Sequence, residues 1–212
     1  MNICCRVLGI LCLLVSVLVV NLQDCRAATP PAEYVVWDRM PGEAPVKGKM
    51  QALAPIDLYN APRGDTVVGS VSQQEIVRRI SCVVYTYPQK YPVKVLRSVK
   101  SYKKNNGSGA PAGPLLQPGS YVYLLMGTGE GTYLGWYNGE EAWWLEGYKI
   151  AHFPPAHSAA APWGEYVGEA NPGNLSIEVW YCLSKNDGTT GWTMVAKNGN
   201  FSSHKNLKVI WK

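Results

Sequence analysis

The sequence predicts an all-β protein built from small barrels with long inserted loops, and three observations support this prediction. Residues 121–125 alternate between two faces, as the residues of a strand do. Strand-like runs flank Asn138-Gly139, a dipeptide whose easy positive φ suits a tight hairpin turn. No segment has a sustained helical period. The stretch 118–150, which holds two such strand pairs, is the centre of the predicted fold.

Residues 1–27 have the features of a secretory signal peptide. Arg6 precedes an apolar run over residues 7–20, and the small residues Cys25 and Ala27 suit cleavage after Ala27. The apolar run is shorter than the roughly 20 residues that span a bilayer, which disfavours an uncleaved anchor. We expect a secreted or periplasmic protein of the cell envelope, with no integral membrane anchor after cleavage.

The next elements are short strands separated by turns. Strand-like runs at residues 56–59 and 66–71 flank a turn rich in proline and glycine. Alternation at residues 83–87 and 91–96 predicts a second pair of strands. Near the end of the chain, residues 175–183 alternate well, and residues 207–211 supply a last strand.

Three connecting segments join these strands, and one of them, the linker, divides the fold into two units. The connecting segments are rich in proline, glycine or alanine, and we expect a tether at 28–45, an inserted loop at 103–119 and a linker at 151–163. Residues 34–37 of the tether form a candidate edge strand. The folded units are a barrel over residues 46–150 and a second barrel or β extension over residues 164–212. The second unit is short enough to share its core with the first.

Two cysteines, Cys82 and Cys182, lie beyond the predicted signal peptide, and both fall in strand-like runs. In an oxidising compartment two cysteines most simply form one disulfide. This bond would close a loop of about a hundred residues, which the chain-entropy model values at up to roughly 4 to 5 kcal/mol. We predict the disulfide, and two buried thiols are the alternative.

Charge is distributed unevenly along the chain. Residues 63–104 contain nine basic and two acidic side chains, whereas residues 130–178 contain seven acidic side chains and one lysine. Opposite fields on two parts of one chain favour docking of those parts, or contact of the basic part with an anionic polymer or lipid surface. Solvated charge with no partner is the alternative.

Residues 135–144 run Gly-Trp-Tyr, then an Asn-Gly turn, then an aromatic closing strand, and residues 67–71 form a short strand after a Gly/Pro loop. Both stretches resemble the bacterial SH3-like (SH3b) domains. The pattern recurs at residues 179–192, which indicates an internal duplication. The chain departs from the family in its long middle segment and in Ala142, where a closing glycine is expected. The resemblance implies one or two SH3-like barrels in an exported protein.

Cell-wall peptidases often accompany SH3-like modules, and their nucleophile lies in an Asp-Cys-Ser-Gly-like motif with a histidine farther on. Neither Cys82 nor Cys182 lies in such a motif. Glu140 and Glu141 are neighbours on one strand, so they face opposite ways, cannot flank one bond and are expected to be solvated. We predict no catalytic residue.

The three histidines do not predict a metal site. His152 and His157 lie in the Pro/Ala linker with no acidic or cysteine partner nearby, and His204 is the third. We predict no metal and no cofactor.

Aromatic residues carry the functional prediction. The chain has eight Trp and thirteen Tyr but two Phe, so most of its rings combine a stacking face with a polar edge. Core filling is the alternative use of these rings. We expect some of five rings, Tyr133, Tyr137, Trp143, Trp180 and Tyr181, to remain exposed in a groove. The candidate ligand-binding residues are Tyr133, Trp136, Tyr137, Trp143, Trp180 and Tyr181, with the basic residues Arg78, Arg79 and Lys94.

These observations predict an exported, non-enzymatic binding module that recognises a cell-envelope component. The candidates for that component are a peptidoglycan peptide, a glycan and a partner protein, and no nucleic acid is expected. One alternative is a structural or assembly subunit, in which the basic region docks on the acidic region of a neighbour. The other is an envelope enzyme, or an inhibitor of one, that acts through the loop at 103–119.

Overall fold

The computed structural model of the chain describes residues 28–42, 47–103, 112–152, 161–168, 175–197 and 206–210. The described residues form sixteen β-strands and one 3-10 turn, Gly147–Lys149, so the predicted all-β class is confirmed. The strands are β1 (Tyr34–Trp37), β2 (Gly48–Ala52), β3 (Ile56–Tyr59), β4 (Val67–Val71), β5 (Ile76–Tyr87), β6 (Val93–Val95), β7 (Val99–Tyr102), β8 (Ala112–Leu116), β9 (Tyr121–Gly129), β10 (Thr132–Tyr137), β11 (Glu140–Glu146), β12 (Ile150–Ala151), β13 (Gly164–Tyr166), β14 (Ser176–Ser184), β15 (Thr190–Lys197) and β16 (Leu207–Val209). The predicted signal peptide, His157 and His204 lie outside the described residues.

The first sheet is organised by its longest strand, β5. The strands follow the order β16-β2-β5-β14-β15-β3-β4. One edge of β5 pairs with β2 through residues 76–79 and with β1 through residues 83–86. Its other edge pairs with β14 along residues 78–87. β5 therefore joins strands from the two ends of the described chain.

The second sheet has the order β12-β13-β6-β9-β10-β11-β7-β8. At its centre lies the predicted hairpin, in which β10 and β11 pair antiparallel across Asn138-Gly139. Both turn residues have positive φ, 48° at Asn138 and 92° at Gly139, which matches the twist of the two flanking strands. The hairpin prediction is therefore confirmed. Both sheets curl into half-barrels.

Two apolar cores form, and the second sheet contributes to both. The first core lies between the sheets, where Val84 and Val179 of the first sheet meet Leu134 and Trp143 of the second. The second core lies inside the curl of the second sheet, and it contains Val93, Val95, Leu116, Val122, Leu124, Tyr137, Ala142, Leu145, Ile150, Trp163 and Tyr166. The second sheet is therefore covered on both of its faces.

Parts of the predicted connecting segments are strands. β1 lies in the tether, β8 in the inserted loop and β12 in the linker. β8 is at the edge of its sheet, where Pro114 is tolerated, and it buries Leu116 in the second core. Trp163 ends the linker and is also buried, and its indole N–H donates to the carbonyl of Glu146 at 2.8 Å. These apolar side chains fix segments that their composition described as loops.

Residues 164–210, where described, complete the two sheets. β13 joins the second sheet, while β14, β15 and β16 join the first. β14 is buried on both faces along most of its length, so the end of the chain shares its core with strands from the first unit.

The predicted disulfide is wrong, because Cys82 and Cys182 are both buried thiols. Their strands are neighbours, but Cys82 is opposite Tyr181 and Cys182 is opposite Ser81. Directly opposite residues share a face, and successive residues point to opposite faces. Cys82 therefore faces the first core and Cys182 faces away from it, so their Cβ vectors diverge and no bond can form without backbone movement.

Adjacent tryptophans in β11 have opposite environments because the strand carries a bulge. The pairing register of β10 and β11 shifts between Tyr133 and Gly135. Trp143 is buried in the first core, whereas Trp144 is 48% exposed and has φ of 66°. A bulky residue in this left-handed region is strained by roughly 1 to 2 kcal/mol.

The two positions should therefore respond in opposite ways to truncation. We expect Trp143→Ala to lower the free energy of unfolding by about 3 to 5 kcal/mol, as for a large ring removed from a core. We expect Trp144→Gly to leave it unchanged or to raise it by about 1 kcal/mol, because glycine accepts positive φ. Urea unfolding of both variants measures these changes, and comparable losses at the two positions would contradict the bulge.

Candidate functional site

Most of the aromatic residues predicted as ligand-binding are buried. Tyr137, Trp143, Trp180 and Tyr181 have little exposed surface, so the expectation that they line an open groove does not hold for these four rings. Tyr133 and Trp136 are half-buried, on opposite faces of β10.

These residues do not come together in one place. Tyr137 packs in the second core, where its hydroxyl accepts the backbone N–H of Gln117 at 3.0 Å. Trp143 packs in the first core, and Trp180 lies on the opposite face of the first sheet. The basic candidates are also separated, because Lys94 is exposed on β6 whereas Arg78 and Arg79 are on β5.

A different set of rings forms a surface on the outer side of the first sheet, away from the first core. Cross-strand pairing places one row of residues side by side, in the order Trp37, Val83, Trp180 and Met194. In a neighbouring row, Trp192 is directly opposite Tyr59. Directly opposite residues share a face of the sheet. We name this surface the aromatic face, and its members are Trp37, Tyr59, Trp180, Trp192 and Met194.

The exposed part of the aromatic face is centred on Trp37. Its side chain is 47% exposed, and its ring stands edge-on to Trp192 with centroids 5.8 Å apart and an interplanar angle of 81°. Met194 is exposed to the same extent, and Val35 of β1 is exposed nearby. The edge-to-face arrangement is one that aromatic quadrupoles favour. An apolar surface is therefore presented to solvent on a rigid sheet.

Buried side chains hold the aromatic face in position. Trp180 is a buried member of the aromatic face, and its ring stands edge-on to Tyr59 with centroids 6.2 Å apart. Its indole N–H donates to the carboxylate of Glu178 at 2.5 Å. Glu178 is itself buried, and it accepts the Nε–H of Arg63 at 3.0 Å. The orientation of Trp180 is thus fixed by a carboxylate that is fixed by an arginine.

Arg63 connects four elements at one end of the aromatic face. Its guanidinium also donates to Glu33 at 2.8 Å and to the hydroxyl of Tyr87 at 2.6 Å, and it lies 3.6 Å from the ring centroid of Tyr85. Arg63 has φ of 59° in the turn between β3 and β4, so the turn backbone is held in the left-handed region. Arg63 belongs to the basic region of the sequence and Glu178 to the acidic region, so one contact between the two regions is made within the chain.

Electrostatics at Glu178 follow from these contacts. Burial raises its pKa, but the hydrogen bonds from Arg63 and Trp180 and the charge of Arg63 outweigh burial, so the pKa is lowered from its usual value. The side chain is therefore charged at neutral pH. On the other side of the same strand, burial raises the pKa of Tyr181 to about 12, and the neighbouring Arg79 opposes that increase.

Glu141 differs from its prediction as a solvated carboxylate. It is half-buried and accepts the hydroxyl of Tyr34 and, at 2.6 Å, the indole N–H of Trp143. Glu140 is exposed beside the hairpin turn. Glu141 therefore ties β1 to β11.

Neither a metal cluster nor a membrane-spanning helix is found among the described residues. No group of three or more His, Cys, Asp or Glu side chains within those ranges could hold a metal ion. Across the same part of the chain, no helix is both long and apolar enough to cross a bilayer. His152 is exposed, with its ring nitrogen 3.8 Å from Glu165.

Sequence reasoning missed four of the five members of the aromatic face, since only Trp180 was among the predicted binding residues, and it also missed Arg63 at the end of the face. Trp37 ends the run Tyr34–Trp37, a candidate edge strand within the tether, so the strand was predicted but the exposure of Trp37 was not. Trp192 lies in the repeated pattern at 179–192, but its exposure depends on which face of β15 meets the core. Arg63 occupies a turn, and no local pattern links it to Glu178, which is more than a hundred residues away.

Removing Arg63 should destabilise the protein in a pH-dependent way. Arg63→Ala leaves the buried carboxylate of Glu178 without its main donor. We expect the free energy of unfolding to fall by about 1 to 3 kcal/mol at pH 7, towards the lower end of this range because the arginine is partly exposed. The folded-state pKa of Glu178 lies below its usual value of 4.5, so the stabilisation is present above that pH and is lost as the pH falls through the folded-state pKa.

Chemical denaturation of wild type and variant between pH 7 and pH 3 measures this effect. The difference in the free energy of unfolding should shrink below about pH 4.5, as Glu178 becomes protonated. Arg97→Ala, which removes an exposed arginine, is the matched control and should change little. A difference between wild type and Arg63→Ala that stays constant over this range would contradict the account.

Comparison with protein-family models, with curated proteins and with solved structures finds no match for this chain. The resemblance to SH3-like domains therefore remains a prediction from the sequence, and the function is argued from the geometry of the described residues.

Proposed function

We propose that this protein is an exported, non-enzymatic binding module that recognises a glycan of the cell envelope through the aromatic face. The observation that carries the proposal is the pair Trp37 and Trp192, set edge-on at 5.8 Å on a solvent-exposed sheet. The location outside the cytoplasm depends on the predicted signal peptide at residues 1–27.

The chemistry of the face suits a sugar polymer. A sugar ring has an apolar side made of C–H groups, which can stack on an exposed indole, and hydroxyl groups around its edge that need hydrogen-bond partners. Polar groups flank the rings at both ends of the face, with Glu33, Arg63 and Tyr87 at one end and Asp38 and Ser81 at the other. Arg63 is paired with two carboxylates, Glu33 and Glu178, so these three side chains have a net charge of −1 and offer no unpaired cation, which suits a ligand without negative charge.

Rigidity supports binding because little conformational freedom would be lost. The rings lie on paired strands, and the buried Trp180 is held by Glu178 and Arg63. Preorganised aromatic side chains give a large contact area at low entropic cost. This arrangement favours recognition of a repetitive polymer whose units stack in the same way.

The thiols support a non-enzymatic assignment. Burial raises the pKa of Cys182, which disfavours the thiolate that a nucleophile requires. Cys82 is fully buried and faces the first core.

Binding to protein-free peptidoglycan sacculi tests the proposal. We expect the purified protein to sediment with sacculi, and we expect Trp37→Ala and Trp192→Ala each to weaken the apparent affinity by about 5- to 30-fold. Trp144→Ala is the matched control, because Trp144 is as exposed as Trp37 but lies on the second sheet, and it should bind as the wild type does.

Competition identifies the component. Soluble glycan fragments that lack stem peptides should displace the protein from sacculi. Equal binding by wild type and Trp37→Ala would overturn the proposal. Displacement by stem peptides alone would overturn the assignment to a glycan.

A further inference from the structure

We infer that the protein has a second binding site, separate from the aromatic face, which takes phosphate groups. The site is a cavity of about 430 Å³ lined by Lys47, Gly48, Lys49, Arg78, Arg79 and Ile80, which we name the basic cavity. Four of its six lining residues are cationic, and the proposal depends on no property of the aromatic face.

The cavity lies where β5 exchanges one neighbour for another. Along one edge, β5 pairs with β2 as far as Arg79 and with β1 from Val83 onward. Ile80 falls between these two pairings and also at the bulge between β5 and β14. The edge of the sheet therefore opens at this point, and backbone and side chains of β2 and β5 line the opening.

The basic cavity brings like charges together. Lys49 is directly opposite Arg78, and Gly48 is directly opposite Arg79. Like charges at directly opposite positions of an antiparallel pair destabilise the sheet. An anion bound between them would turn this repulsion into attraction.

Three carboxylates in the loops and turns that flank strands of the first sheet are engaged elsewhere. Asp38 accepts hydrogen bonds from the hydroxyl of Ser81 at 2.7 Å and from the backbone N–H of Cys82 at 3.4 Å. Glu75 and Asp187 both pair with Lys185. Within the described part of the chain, no carboxylate forms an ion pair with Lys47, Lys49 or Arg78.

Arg79 adds a fixed positive charge beneath the cavity. Its side chain is only 2% exposed, and its guanidinium lies 4.4 Å from the ring centroid of Tyr181, which is fully buried. A charge held in this way adds to the positive potential of the cavity, while the exposed guanidinium of Arg78 has the planar array of N–H groups that matches the oxygens of a phosphate. Lys47, Lys49 and Arg78 are exposed and can close around the anion.

The size of the cavity favours a phosphate carried on a larger molecule or a chain of linked phosphates. A Cβ built on Gly48 meets no described atom within 4 Å, so no described part of the chain fills the space in front of this residue. Because φ of Gly48 is outside the left-handed region, a larger residue is compatible with the backbone there. Gly48 is therefore a position at which the cavity can be filled without removing a charge.

Isothermal titration of the full chain with inorganic pyrophosphate, at fixed ionic strength, tests the site. We expect saturable binding with one site per chain. Arg78→Gln and Lys49→Gln should each weaken it about tenfold, which corresponds to the loss of one charge-assisted contact. Lys100→Gln, which removes an exposed lysine from β7 of the second sheet, is the matched control and should bind as the wild type does.

Two further results separate a built site from general attraction of anions. Gly48→Val should abolish binding while thermal stability without ligand is kept, because valine suits a strand and fills the cavity. Lys49→Gln should raise the thermal stability of the ligand-free protein, because it removes the repulsion between Lys49 and Arg78. It should also reduce the gain in thermal stability on adding pyrophosphate, because it removes a contact to the anion.

The source of the phosphate is identified by a second titration with a synthetic phosphodiester oligomer. Tighter binding of the oligomer points to a phosphate-bearing polymer, and tighter binding of pyrophosphate points to a small free ligand; both outcomes support the site. Absence of binding by either probe overturns the proposal. Equal weakening by Lys100→Gln and Lys49→Gln, or unchanged binding by a folded Gly48→Val, also overturns it.

Discussion

The pairing of β5 with β14 is the constraint on which the described structure depends. Residues separated by about a hundred positions are brought side by side, at the entropic cost of closing a very long loop. Burial on both faces of β14 offsets that cost. Val179 and Tyr181 lie in the first core, and Trp180, on the other face, packs against Tyr59. The same ladder therefore supports the core on one side and the proposed glycan-binding surface on the other.

Local patterns predicted much of the fold. The hairpin at Asn138-Gly139 and the strand β14 follow from turn chemistry and alternation, which are short-range properties. By alternation, Leu134 and Trp136 share one face of β10 and Tyr133 and Tyr137 share the other, and the two pairs contact different cores. It could not show that both faces of β10 are covered, because that depends on where the second sheet packs against the first.

The remaining differences between the predicted and the observed structure also depend on how the sheets pack. β8 and Trp163 lie in segments whose proline, glycine and alanine content indicated loops, yet a few apolar side chains anchor them in the second core. The two cysteines do lie on neighbouring strands. A disulfide also requires that their side chains point to the same face, and a shift of one residue in the pairing register reverses that direction. The candidate site also depends on tertiary packing. Composition identified the aromatic rings of the hairpins, but the packing of the sheets decides which of those rings are exposed.

Both proposed sites lie on the first sheet and differ in their chemistry. The aromatic face presents apolar rings, and the arginine at its end is paired with two carboxylates. The basic cavity concentrates cations at a break in the sheet edge. A polymer that carries both sugar rings and phosphate groups would match both surfaces, although each is argued from separate contacts.

Nuclear magnetic resonance of the indole N–H groups in isotope-labelled protein, titrated with soluble envelope glycan fragments, tests the central claim most directly. The account predicts that the signals of Trp37 and Trp192 shift together with saturation, while those of the buried Trp143 and Trp163 and of the exposed Trp144 stay in place. Shifts centred on Trp144, or no shift at Trp37, would contradict it.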